Sequence, residues 1–238
     1  MDILFTNPVC PEYIMMNIWP DSLLRNQGAL DQDEQQRLAD AAVAVCGCGG
    51  LGGLVIENLA RTGVGRLRIV DPDCFSVSNL NRQLGATRKT LGKNKAKVIA
   101  TRIREISDRC RVEPVCHDFR ETDVPAAMDV AVDCLDNNAA RLELAGRCRQ
   151  LRIPLVHGAV NGWYGQVGLQ PAGGDLVHRL YGNSIQENGP VPVLSFTAAL
   201  VASLQAAETV KLLIGRPSRL KNRWLSIDLR CGDFEYNG

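Results

Sequence analysis

Ala42-Val43-Ala44-Val45-Cys46-Gly47-Cys48-Gly49-Gly50-Leu51-Gly52 is the stretch on which the fold turns. A short apolar run enters directly into a G-x-G-x-x-G turn. An uninterrupted apolar run of this length marks a strand covered on both faces, as in a parallel sheet. Leu54 to Thr62 then carries helical spacing and meets its stop signals at Gly63 and Gly65. A second strand, Leu67-Arg68-Ile69-Val70, ends on Asp71. The order strand, glycine turn, helix, strand is a βαβ unit.

The same rhythm continues toward the C-terminus. Lys95 to Ile106 has Val98, Ile99, Ile103 and Ile106 at helical spacing, and Val112 to Cys116 reads as a weaker strand. Asp129 to Cys134 is a further strand, followed by a helix from Asn138 to Gln150 and a fifth strand, Ile153 to His157. Helices alternating with short apolar strands predict an α/β fold, Rossmann-like, with an open, mostly parallel sheet. From Gly162 the rhythm changes. Gln166 to Gln170 and Trp224 to Asp228 lack crossover helices and read as antiparallel strands extending the sheet at its C-terminal end. Ser195 to Ile214 predicts one long helix, apolar on nearly all sides, which needs burial against a core or a partner. On the N-terminal side, Gln27 to Asp40 suits one or two short surface helices. Residues 1–22, with Pro8, Pro11 and Pro20, read as an irregular extension, and 23–238 as a single domain.

Composition narrows the function classes. The chain has 238 residues, 45% hydrophobic and 22% charged, an ordinary globular balance. Lys+Arg 27 against Asp+Glu 26 leaves a net charge of +1, and aromatics are 5%. Neither a basic field nor a set of stacking rings points to nucleic acid as a partner. The nine cysteines are odd in number, and Cys46 and Cys134 lie in apolar runs, where a thiol acts as a small hydrophobe. That pattern suits a reducing compartment. The N-terminus shows no signal peptide, and the apolar stretch Phe196 to Leu204 is soon broken by Gln205, Glu208 and Lys211. The expectation is a cytoplasmic protein with no membrane partner.

The glycine turn offers backbone amides and a helix N-terminus to a phosphate, and Asp71, about 20 residues on, is placed to accept from a ribose. NAD enzymes share that arrangement, so the turn alone does not choose the nucleotide. The residues that follow do. Asn79, Arg82 and Lys95 supply donors and cations for a triphosphate, and Asp136, at the end of a strand, suits magnesium. Singly each has an ordinary role: Arg82 in a surface ion pair, Lys95 in a helix first turn, Asp136 as an N-cap. Together, beside the glycine turn, they favour ATP over NAD.

GCGGLGG, ARTGVGRLRIVDPD, SNLNRQ, GKNKAKV, DCLDN, PLVHGAVNGWYGQV and SLQAAETVKLL occur in that order over nearly the whole chain. This series resembles the ThiF/MoeB/HesA family, bacterial relatives of ubiquitin-activating enzymes. The resemblance implies an adenylyltransferase that uses Mg-ATP to activate a carboxylate. In the family this is usually the C-terminal glycine of a small ubiquitin-like sulfur-carrier protein, in thiamine or molybdopterin synthesis. Pyrophosphate leaves, and the acyl adenylate passes to a nucleophile such as a sulfur donor. Carried over by position, Gly47, Gly49, Gly50 and Gly52 form the phosphate turn and Asp71 binds ribose. Asn79, Arg82 and Lys95 contact phosphates, and Asp136 holds magnesium. Arg25 matches the family arginine that reaches into the neighbouring subunit's site, which implies a homodimer.

The sequence also departs from the pattern. Many members carry two C-x-x-C pairs for structural zinc and a cysteine in the loop that crosses the active site. This chain has no C-x-x-C, and no cysteine between Cys148 and Cys231. The expectation is therefore no zinc and no acyl group carried on a thiol. His157 ends a strand and reads as core or as support behind the site; no histidine dyad is evident. The crossing loop, about Pro171 to Pro192, is short, rich in Gly, Pro and polar residues, and is expected to be mobile. Two alternatives stay open: adenylation of a small-molecule carboxylate in cofactor synthesis, and a non-catalytic nucleotide-binding subunit. An NAD-dependent oxidoreductase stands further off.

Overall fold

Helix α1 (Gln32–Asp40) starts with a reciprocal cap: the Asp31 carboxylate accepts from the Glu34 amide and Glu34 accepts from the Asp31 amide. It leads into β1 (Ala42–Cys46), the strand ahead of the glycine turn. Val43 and Val45 point to one face of the sheet, Ala44 and Cys46 to the other, and all four are fully buried. Helix α2 (Gly52–Thr62) begins within the turn and ends at Gly63, whose φ of 101° is left-handed backbone. The chain continues through β2 (Arg66–Val70), α3 (Lys95–Ile106), β3 (Arg111–Val115), β4 (Val130–Asp133) and α4 (Asn138–Leu151). Then come β5 (Leu155–Asn161), β6 (Tyr164–Gln170), α5 (Leu176–Tyr181), α6 (Ser195–Ile214), β7 (Trp224–Asp228) and β8 (Asp233–Asn237). This is a computed structural model, and it describes residues 19–182 and 191–238.

The strands form one sheet in the order β3-β2-β1-β4-β5-β6-β7-β8. The first five strands pair in parallel and β6, β7 and β8 are added antiparallel, the parallel run and the first two of these additions as the sequence predicted. Helices α1, α2, α3 and α6 supply the core on one face, α4 and α5 that on the other. The direction of winding reverses between β1 and β4: from β1 the chain moves to β2 on one side, from β4 to β5 on the other. In such a sheet the crevice above the strands' C-terminal ends at this reversal is the place for a ligand.

Four features differ from the expectation. β5 starts at Leu155 and runs to Asn161, because it continues as a hairpin with β6, pairing Asn161 with Tyr164. β8 was not foreseen; its alternation Asp-Phe-Glu-Tyr-Asn is a period-two signal, but only at the edge of the sheet. Within the stretch expected to be a mobile loop, Leu176 and Val177 are buried and anchor α5; residues 183–190 of that stretch lie outside the described residues. The predicted boundary at residue 22 is crossed by a 3-10 helix, Asp21–Asn26, which buries Leu23, and Trp19 before it is also buried. Residues 1–18 of the expected extension lie outside the described residues.

The apolar helix has the predicted bounds, but its apolar character continues past Leu204. An 18-residue window of mean hydropathy 1.3 makes α6 long and apolar enough to cross a membrane by length and composition. In the fold it packs on α1, α2, β4, β5 and β6, and half of that window is buried.

Candidate active site

A cleft of about 1310 Å³ opens over the C-terminal ends of β1 and β4 and extends across β5 to β8. Its floor at one end is the glycine turn, where the four glycines divide by position. Gly49 and Gly50 line the cleft. Gly47 and Gly52 face protein: a Cβ on Gly52 would stand 1.7 Å from the Gly47 carbonyl oxygen, and one on Gly47, at φ 97°, 2.5 Å from that of Cys134. Two glycines are thus required by packing and two leave the backbone open to a ligand.

Asp71 follows β2 and is buried, with Oδ2 accepting from the Cys48 amide at 2.7 Å and Oδ1 from the Asp73 amide at 2.9 Å. Burial pushes its carboxyl above the usual value, opposed by Lys95 and by these amides. The carboxylate thereby fixes the glycine turn while facing the cleft, where its remaining lone pairs suit ribose hydroxyls. Asn94 caps α3 by accepting from the Lys97 amide at 3.1 Å, which makes Lys95 the first helical residue. Lys95 is buried and its Nζ is 2.8 Å from Asp73 Oδ2. That partner is 64% exposed, so the ammonium can exchange it for a phosphate.

Arg82 lies along the wall, its Nη1 donating to the Ser78 carbonyl at 3.0 Å and to Asn81 Oδ1 at 2.9 Å. The Gly50 position faces its side chain, a Cβ there falling 3.6 Å from Arg82 Cγ. Beside it sits Gln83, which sequence reasoning passed over. It is 8% exposed, lines the cleft, and its Oε1 is buried without a hydrogen-bond partner. Asn79 is not brought to the cleft wall: its Oδ1 accepts from the Ser76 amide at 3.0 Å and caps a 3-10 turn. Its contribution is to shape the loop that carries Arg82.

Asp136 follows β4 and is exposed in the cleft; its neighbour Asn137, not Asp136, caps α4 by accepting from the Ala140 amide at 2.8 Å. The only described polar contact of Asp136 is with Asn137 Nδ2 at 3.4 Å, so its carboxylate is not tied to a cation. Arg25 is exposed on the 3-10 helix, away from the cleft lining, with no hydrogen bond or ion pair among the described residues. The open glycine backbone, the available cations and the unpaired Asp136 together fit a magnesium-bound triphosphate.

The thiols around the glycine turn are not poised to react. Cys46, Cys48 and Cys134 are buried, and burial raises each well above an ordinary thiol pKa. Among the described residues, no three Cys, His, Asp or Glu side chains gather as a metal site. A histidine dyad does exist, contrary to the sequence expectation: His157 Nδ1 lies 2.7 Å from Asp133 Oδ2, both side chains fully buried. Adjacent parallel strands put them side by side, a register that no local pattern reveals.

A family model described as the ThiF family matches residues 23–236. The chain is 36% identical over 210 residues to the SAMP-activating enzyme E1 of Haloferax volcanii, covering 84% of this chain and 77% of that protein. It is 32% identical over 194 residues to the molybdopterin-synthase adenylyltransferase of Escherichia coli K12, covering 78% of each. It spans about half the length of other curated relatives that it matches. Among solved structures, Escherichia coli MccB with ATP superposes with a TM-score of 0.72 at 22% identity, over 86% of this chain and 65% of that one. At that identity the likeness speaks for the fold.

Proposed function

The chain belongs to the ThiF family, and from that premise we propose that it is an ATP-dependent adenylyltransferase that activates a carboxylate. Its relatives by name activate SAMP or serve molybdopterin synthase, so the C-terminal glycine of a small ubiquitin-like sulfur carrier is the favoured substrate. One observation carries this reading: Gly49, Gly50, Asp71, Arg82, Lys95 and Asp136 share the wall of one cleft.

A carboxylate is a poor electrophile because its oxygen is too basic to leave. Its attack on the α-phosphorus of ATP forms an acyl adenylate and expels pyrophosphate. The carboxylate is already the nucleophile, so positioning and charge stabilisation do the work. Amides at Gly49 and Gly50 would cradle phosphate and Asp71 would hold the ribose. Arg82 and Lys95 would neutralise the charge that grows on the leaving pyrophosphate. Asp136 would hold magnesium, which when bound screens the phosphate oxygens. Residues 23–238 would act as one adenylation domain, and in a homodimer Arg25 would complete the neighbour's site. The acyl adenylate would be handed to an external sulfur nucleophile without zinc and without a thiol of this chain.

The test is magnesium-dependent ATP–pyrophosphate exchange stimulated by a carrier protein ending in Gly-Gly. Asp136→Ala should abolish the exchange, a loss of at least about a hundredfold, while circular dichroism and Tm stay as in the wild type. Exchange at the wild-type rate in that variant would refute the role given to Asp136. Intact mass and metal analysis after turnover should show neither an acyl adduct on this chain nor stoichiometric zinc.

A further inference from the structure

The adenylation chemistry gives no task to Asp133 and His157, although both side chains are fully buried beneath the cleft. Asp133 holds two things at once. Its Oδ2 faces His157 Nδ1 at 2.7 Å, and its Oδ1 accepts from the Leu135 amide at 3.0 Å, in the turn that leads to Asp136. Beyond the imidazole, Nε2 lies 2.9 Å from the hydroxyl of Tyr181, with the two rings edge to face at 5.3 Å. Tyr181 closes α5 and lines the cleft. The Arg141 guanidinium sits over its ring at 5.3 Å and donates to the Leu135 carbonyl at 2.8 Å. A chain of contacts therefore runs from the Asp136 turn through buried groups to a phenol on the cleft wall.

The direction of the bonds follows from the buried end. A carboxylate only accepts, so Nδ1 carries the proton shared with Asp133; in that tautomer Nε2 is the acceptor of the ring and the Tyr181 hydroxyl its donor. Burial raises the Tyr181 phenol above its usual value, which keeps that proton in place. The phenol oxygen keeps its lone pairs for another group. Gln166 Oε1, at 3.4 Å, stands at the limit of a hydrogen bond and supplies no proton.

The cleft has two halves. The nucleotide half lies over β2, β1 and β4, with the glycine turn, Asp71 and Asp136. The acyl substrate is left the half over β5 to β8. Tyr181, bound to His157 on β5 and near Gln166 on β6, stands in this second half beside the junction. We propose that the Tyr181 oxygen accepts a hydrogen bond from an amide N–H of the acyl substrate next to its reacting carboxylate, with His157 and Asp133 as positioning residues that hold the phenol there. The substrate class is thereby an N-acylated amino acid or a peptide C-terminus. A simple acid without that N–H is bound less well. The proposal rests on the adenylation reading above.

Two stable acyl-adenylate mimics separate the ideas. N-acetylglycyl sulfamoyl adenosine carries the N–H, and 4-oxopentanoyl sulfamoyl adenosine replaces it by CH2 at the same length. Wild-type protein should bind the first about three- to tenfold more tightly, the worth of one hydrogen bond. Tyr181→Phe should erase this preference and leave the Kd for ATP unchanged within about twofold. His157→Gln should weaken the preference, and the double variant should lose no more than Tyr181→Phe alone, as expected for groups acting in series. A merely structural tyrosine would lower Tm and ATP affinity and spare the ratio. A preference that survives in Tyr181→Phe overturns the proposal. So does ATP binding with equal binding, or no binding, of the two mimics by the wild type. Failure of the wild type to bind ATP or either mimic overturns the adenylation reading, and this proposal with it.

Discussion

Gly50 and Gly52 stand two residues apart in one motif, and the same substitution should act on them in different ways. A Cβ on Gly52 would strike the Gly47 carbonyl at 1.7 Å, a backbone atom that cannot swing aside. Gly52→Ala should therefore unfold the protein or lower its Tm steeply, and ATP binding would be lost as a consequence. A Cβ on Gly50 would sit 3.6 Å from Arg82 Cγ, an ordinary contact, but it would project into the cleft. Gly50→Ala should keep Tm within a degree or two and weaken ATP binding by roughly tenfold, the cost of moving a phosphate off one charge-assisted amide bond. Thermal denaturation with and without ATP reads both effects. A Gly50→Ala protein that binds ATP normally would show that the phosphates lie elsewhere.

Helices α2 and α3 are held by a carboxylate between two arginines. Glu57 on α2 accepts from Arg102 Nε on α3 at 2.5 Å and meets Arg61 Nη2, one turn on, at 2.8 Å. Burial works against its charge, but the hydrogen-bonded guanidiniums of Arg102 and Arg61 outweigh it and hold the carboxyl below its ordinary 4.5. A depressed acid adds stability above its unfolded pKa and loses it as pH falls through the folded value. Both arginines are about half exposed, 41% and 54%, so solvent screens the pairs and their worth is at most about 1 kcal/mol. Glu57→Gln should lower Tm by about 2 °C between pH 6 and 8. The difference from wild type should close as the pH falls below 4.5. A constant difference across that range would mean that Glu57 contributes through packing and not through charge.

At the scale of the whole molecule, several groups lack employment within one chain. Arg25 is exposed with no described partner, and α6 leaves Phe196, 47% exposed, with its ring tilted against that of Trp163 at 5.0 Å. A shared-site homodimer would use both. Arg25→Ala and Asp136→Ala should each be inactive alone. After subunit exchange, half of the dimers are hybrids and each hybrid holds one complete site in two. Mixing equal amounts should therefore restore about a quarter of wild-type exchange activity, the value set by twofold symmetry. No recovery after confirmed subunit exchange would place Arg25 outside its neighbour's site.

The sequence by itself determined what depends on neighbours along the chain. Ala42–Cys46 is apolar throughout because a central parallel strand is covered on both faces, and the glycines that follow announce the turn and the start of α2. The stop at Gly63 marks the end of α2, and helical spacing from Lys95 places that lysine in the first turn of α3; the cap of α4, assigned in sequence to Asp136, falls one residue later at Asn137. Tertiary structure decided what depends on strands and segments meeting from afar. It separated Gly49 and Gly50, which face the cleft, from Gly47 and Gly52, which face protein, although the motif treats them alike. It turned Asn79 away to cap a loop and put the unpartnered Gln83 at the wall. It joined Asp133, His157 and Tyr181, which have no sequence spacing in common, because β4 and β5 run in register and α5 folds back over them. Capping and periodicity are local forces and can be read in order; a hydrogen bond between strands exists only once the sheet has closed.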